Sequence, residues 1–88
     1  MAVIEKKILK DSFDKILEGK KKWERRTQDF EIKEGDTLHL KEWDAVAKKY
    51  TGREIKKVAT YVAKFDMNND YWPKAEIEKY GYQIIQFD

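Results

Sequence analysis

Apolar residues are spread thinly along this chain, and their spacing alternates between two periods. Val3, Ile4, Ile8 and Leu9 mark a short strand over residues 3–9, after which Phe13, Ile16 and Leu17 recur at helical spacing. Asp11 or Ser12 is placed to cap that helix, Gly19 to stop it after about two turns. Residues 22–28 read as a second strand, in which Lys22, Glu24 and Arg26 share one face and Trp23 and Arg25 the other. On hydrophobicity Trp23 is the core residue of the pair of faces.

Turn signals at Asp29-Phe30 and Glu34-Gly35-Asp36 lead into an alternating strand, Thr37 to Trp43, with Leu38 and Leu40 inward and His39 outward at the surface. Tyr50-Thr51-Gly52-Arg53 reads as a turn because Gly52 tolerates positive φ. A long strand, Glu54 to Phe65, follows. Its phase slips between Ile55 and the set Val58, Thr60 and Val62, which places a bulge near Lys56-Lys57. Residues 66–72 form a polar loop carrying Tyr71 and Trp72, Pro73 opens a short late helix ending at Gly81, and Tyr82 to Phe87 form the last strand. In that strand Ile85 and Phe87 share one face and Tyr82 and Ile84 the other.

The order β, α, then mostly β describes one α+β, mainly β domain over residues 1–88, with no linker, repeat or low-complexity run. At 88 residues the core is modest, and aromatic residues at 14% must supply much of it.

Charge changes the picture locally. The net charge is only +2, which argues against a protein that coats polyanions by bulk attraction. Residues 19–26 nevertheless hold five basic side chains against Glu24, and residues 48–57 hold Lys48, Lys49, Arg53, Lys56 and Lys57 against Glu54. Brought together, the two blocks would make a focused positive cleft; held apart, they serve solubility. There is no cysteine, which excludes disulfides and thiol chemistry, and the single His39 cannot build a multi-histidine metal site. No metal or cofactor is expected. No apolar run approaches membrane-spanning length, so the expected location is cytoplasmic.

The densest chemistry lies in Gly19-Lys20-Lys21-Lys22-Trp23-Glu24-Arg25-Arg26. A glutamate and an arginine on one strand face, with a lysine at the edge, hold donors ready for a phosphate, a carboxylate or a base edge. The competing reading is a solvated ion-pair ladder.

Gly19, Lys21, Glu24 and Arg26 fit G-x-K-x-x-E-x-R, which resembles the signature of the ASCH domains, a branch of the PUA-like superfamily. Phe13, Asp29-Phe30, Gly35-Asp36, Glu42-Trp43-Asp44 and Tyr50-Thr51-Gly52-Arg53 are similar to the small bacterial and phage group catalogued as DUF3850. The resemblance covers roughly residues 6–87 and implies a PUA-like β-barrel of five or six strands with one main helix and one short late helix beside it. It also implies a cleft between barrel and helix that binds RNA or a nucleotide, with Lys21, Glu24 and Arg26 as its site. Arg53, Lys22, Trp43 and Tyr50 are further ligand candidates, and Tyr71 and Trp72 are additional rings able to stack bases.

Some ASCH relatives are amidohydrolases acting on N4-acetylcytidine through a lysine, a threonine and a later glutamate. Lys21 matches the lysine, but Glu24 stands in the threonine's place and Thr27 is out of register, so that mechanism does not carry over. A ribonuclease reading would use Glu24 as base and Lys21 and Arg26 as charge stabilisers. A third class is a protein-interaction module, for which no short motif names a partner.

Overall fold

The computed structural model describes residues 1–65 and 81–88. The polar loop, the late helix, Tyr71 and Trp72 lie outside the described residues. Five strands and one helix follow in the order β1 (Val3–Ile8), α1 (Lys10–Leu17), β2 (Trp23–Thr27), β3 (Thr37–Asp44), β4 (Lys49–Phe65) and β5 (Tyr82–Phe87). They make an α+β, mainly β fold, with all five strands in one open sheet ordered β1-β3-β4-β5-β2.

β4 is the strand that shapes the sheet. Residues 49–58 pair antiparallel with β3, which pairs parallel with β1. Residues 59–65 pair instead with β5, which pairs antiparallel with β2. The change of partner coincides with a register shift between Ala59 and Tyr61. An extra residue there bends the strand and increases its twist, so one 17-residue strand serves both halves of the sheet. The phase slip in the sequence is real but lies three residues beyond Lys56-Lys57. A second shift falls between Lys41 and Trp43 on β3.

The turn expected at residues 50–53 is also displaced. Those residues are already in β4, and the chain reverses at Ala45 to Lys48. Asp44 makes that reversal: its Oδ1 accepts from the amides of Val46 and Ala47, and its carbonyl accepts from Lys48. Side-chain capping of this kind needs no glycine.

The core gathers on the inner face of the curled sheet. Ile8 of β1, Phe13 and Ile16 of α1, Leu38 and Leu40 of β3, Ala59 of β4, Ile85 and Phe87 of β5, and Ile32 from the β2–β3 connection are all buried together. α1 therefore closes one side of the fold with the narrow stripe that its spacing indicated. Its cap differs from the expectation. The N-cap is Leu9 and no side chain caps the helix, because Ser12 already lies inside the first turn.

Two expectations about exposure fail. Trp23 is exposed and Glu24 is buried, so the inward face of β2 is the charged one. His39 projects away from Leu38 and Leu40 as alternation requires, yet it is only 8% exposed. Glu5, its register partner on β1, and Glu54 on β4 close over it, with Nε2 2.7 Å from Glu54 Oε1 and Nδ1 3.6 Å from Glu5 Oε1. Burial by neighbouring carboxylates, rather than by apolar atoms, left no hydrophobic signal in the sequence.

Candidate functional site

The site is built by the way α1 ends. Gly19 takes φ +79°, and the amides of Gly19 and Lys20 fold back to the carbonyls of Ile16 and Lys15. This is the left-handed helix stop that glycine allows and other residues resist. The amide of Lys21 also reaches the Lys15 carbonyl. Lys21 is thereby turned back under the helix it follows, and β2 begins two residues later.

Lys21 Nζ donates to Glu24 Oε1 at 3.1 Å and to Ser12 Oγ at 3.1 Å. Arg26 Nη2 lies 3.0 Å from Glu24 Oε2 and donates to the backbone carbonyl of Lys7. One buried carboxylate is thus clamped between two cations, one from a loop and one from the same strand face. The Lys7 contact has a topological meaning, since β1 and β2 are the two edges of the open sheet. The guanidinium reaches from one edge strand to the other and so marks a seam between them.

A cavity of about 290 Å³ opens at this seam, lined by Ser12, Lys21 and β2 residues 23–26 together with Lys7 and Ile8 of β1 and Leu9 at the start of α1. Two cations face one carboxylate across it, so the cluster keeps an excess positive charge. Arg26 Nε is buried and has no hydrogen-bond partner among the described residues. A buried donor left unpaired costs free energy.

A larger cavity of about 710 Å³ lies beside it, and the two share Leu9 and Ser12 as walls. Trp43, Thr51, Glu42 and Arg53 line the second cavity. Here Arg53 is already engaged. Its Nε and Nη2 donate to the two oxygens of Glu42 at 2.9 and 2.6 Å, and Nη2 also reaches Asp14 at 2.7 Å. Thr51 donates to Glu42 Oε1 at 2.6 Å. The paired guanidinium and the threonine hydroxyl hold the Glu42 carboxyl below its usual range. Lys10, and after it Arg53, does the same for Asp14, while the two carboxylates raise Arg53 further above an already high value.

The sign of the pH effect follows. A carboxyl whose folded value is depressed adds stability above its unfolded value and loses it as pH falls through the folded one. Glu42 and Asp14 therefore contribute in full above the ordinary values of 4.5 and 3.8, and their contribution drains below them. Thermal unfolding followed from about pH 6 down to about pH 2 should show that loss. Arg53→Met should start less stable at the upper end and lose less on acidification. Parallel curves for the two proteins would show that Arg53 does not set those values.

The structure thus brings together Lys21, Glu24 and Arg26. It places Arg53 and Trp43 in the adjoining cavity and Tyr50 on the outside, edge-on to Trp43 with ring centroids 5.0 Å apart. Lys7 lies 3.8 Å from the centre of the Trp43 ring. Lys22 is exposed and lines a groove on the outer face of β2. His39 lines neither cavity. Ser12, Asp14, Glu42 and Thr51 are polar site residues that sequence reasoning did not single out. Ser12 offered only a helix-start signal, and Glu42 was indistinguishable from a surface acid. Among the described residues no group of three or more His, Asp or Glu side chains is placed to hold a metal ion, and no helix is long and apolar enough to cross a membrane.

A family model described as a domain of unknown function, DUF3850, matches residues 3–72. No curated protein matches the chain.

Proposed function

Since the chain belongs to the DUF3850 family, whose description names no activity, we propose from its own residues that it binds RNA or a nucleotide in the seam cavity through Lys21, Glu24 and Arg26. The observation that carries the reading is the buried Nε of Arg26, unpaired among the described residues, beside a cluster with more cations than carboxylates. Such a cluster is fixed by its own ion pairs yet still holds a donor in reserve. A phosphate or a base carbonyl satisfies that donor, and Glu24, pinned from both sides, orients the arginine that receives it. The resemblance of the octapeptide to the ASCH signature points the same way. In that reading the seam between β1 and β2 is the line along which a PUA-like barrel closes, and the protein acts in the cytoplasm.

The test is titration of the protein with CMP and with a short single-stranded RNA at two salt concentrations. Lys21→Ala and Arg26→Ala each remove one charge-assisted hydrogen bond, of about 1.5–3 kcal/mol. Affinity should fall about 10- to 150-fold, and the salt dependence should flatten by about one phosphate. Undiminished binding by both variants would remove the assignment.

One contact favours a second, hydrolytic reading. Ser12 Oγ sits 3.1 Å from Lys21 Nζ at the cavity wall, so a hydroxyl lies beside the lysine that matches the amidohydrolase lysine, although Glu24 holds the threonine's place in the signature. In that reading Ser12 is the nucleophile: its proton passes to Lys21 as Lys21 hands one to the Glu24 carboxylate, and the same relay returns a proton to the leaving amine. Turnover of N4-acetylcytidine that Ser12→Ala abolishes would support it; no turnover would set it aside in favour of binding alone.

A further inference from the structure

The face of the sheet opposite the seam cavity carries a second arrangement. Alternation along β2 turns Trp23 and Arg25 outward, and the same rule turns Ile84 and Gln86 of β5 outward beside them. The bulge in β4 brings Tyr61 and Ala63 onto this face as well, because it resets the strand's phase just before them. Trp23 and Tyr61 both stand opposite Gln86, one from each neighbouring strand. Their backbones are therefore two strand spacings apart, about 10 Å. They are 47% and 53% exposed. A groove of about 400 Å³ runs between them.

This face is positively charged at the end near the site. Lys22 lines the groove, and Lys21 Nζ lies 4.7 Å from the centre of the Trp23 ring. Arg25 stacks over Tyr82 at 5.4 Å. Asp88 is the one acid among the residues lining the groove. Trp23 is a wall of both spaces, the seam cavity on one side and the outer groove on the other. A chain leaving the seam cavity past Lys21 meets the Trp23 ring first and Tyr61 next.

We propose that Trp23 and Tyr61 form a base-stacking platform for single-stranded RNA, continuous with the seam cavity. Exposed rings on a sheet surface, flanked by cations, bind unpaired bases through their faces and the backbone through charge. The proposal rests on the seam cavity being a nucleotide site, and it makes the ligand a strand rather than a free nucleotide. It also accounts for a tryptophan kept at the surface of a small fold with few apolar residues.

The experiment compares CMP with a short single-stranded oligouridylate, measured against wild type, Tyr61→Ala, Trp23→Ala and Trp23→Phe. Wild type should bind the oligonucleotide more tightly than CMP. Each lost ring should weaken the oligonucleotide by about 5- to 150-fold, the value of one stacked base. Tyr61 does not line the seam cavity, so Tyr61→Ala should leave CMP affinity unchanged, and Trp23→Phe should retain most oligonucleotide binding. An oligonucleotide bound no better than CMP, or bound equally by wild type and Tyr61→Ala, overturns the platform while leaving the seam site standing. A wild type that binds neither ligand overturns both. Unfolding of each variant is recorded alongside; both rings are half exposed, so their removal should leave the fold intact.

Discussion

Replacing Lys21, Glu24 and Arg26 together by Met, Leu and Met is expected to leave the protein folded with stability within about 1 kcal/mol of wild type, while binding in the seam cavity disappears. Glu24→Ala alone is expected to cost about 3 kcal/mol. The contrast follows from what each change leaves behind. The carboxylate side chain of Glu24 is 8% exposed and those of Lys21 and Arg26 are 16% and 24%, so the pairing occurs largely out of water. Removing the carboxylate strands two like charges in that setting, with only the neutral Ser12 hydroxyl and Lys7 carbonyl left as partners. Removing all three groups abolishes the desolvation cost together with the attraction, and apolar side chains of similar length fill the space. A total stability of roughly 4–13 kcal/mol for a chain of this length makes a 3 kcal/mol loss easy to read in urea unfolding. If the triple variant is as unstable as Glu24→Ala, the ion cluster is a structural keystone, and its presence needs no ligand to explain it. If the triple variant is stable and inert, the cluster is retained for what it binds.

The periodicity of the chain carried most of the fold. Strand alternation correctly put Glu24 with Arg26, Ile85 with Phe87, and Leu38 with Leu40. What it could not say was which face points inward, and at β2 hydrophobicity gave the wrong answer. The inward face there is charged because Glu24 is paired with two cations, and one of them, Lys21, arrives from outside the strand through the turn at Gly19. A linear pattern does not display a partner that folds back. The same limit hid Ser12, whose hydroxyl serves Lys21 rather than the helix start, and Glu42, whose burial depends on Arg53 across the β3–β4 pair. Among the described residues turn chemistry misled at Gly52, which drew attention to residues 50–53, while an apolar Ala-Val-Ala run hid the reversal that Asp44 caps. The candidate triad was legible because it is local in sequence. The outer ring pair was not, since Tyr61 meets Trp23 only through β5 and only after the bulge has shifted the phase of β4.

Ile85→Ala is expected to be the most damaging single truncation in the core, at about 3–4 kcal/mol, and to weaken the site as well. Ile85 is fully buried on the central part of β5, opposite Glu24 on β2 and Val62 on β4. Those register pairs put the three side chains on one face of the sheet, so Ile85 is the apolar neighbour against which the Glu24 side chain is held. Its loss opens a cavity in a core that contains few large aliphatic residues, and the surrounding strands are tied by ladders that prevent collapse. The adjacent Ile84 provides the control. It points to the outer face and is only half-buried, so Ile84→Ala should cost under about 1 kcal/mol. Urea unfolding gives both numbers, and CMP titration of folded Ile85→Ala reads the second consequence. A Glu24 freed from its packing partner samples positions away from Arg26, and affinity should fall although no ligand-contacting group has changed. Equal costs at positions 84 and 85 would mean that β5 is not in the register described. A large cost at Ile85 with undiminished CMP affinity would mean that the Lys21 and Arg26 ion pairs fix Glu24 without help from the core.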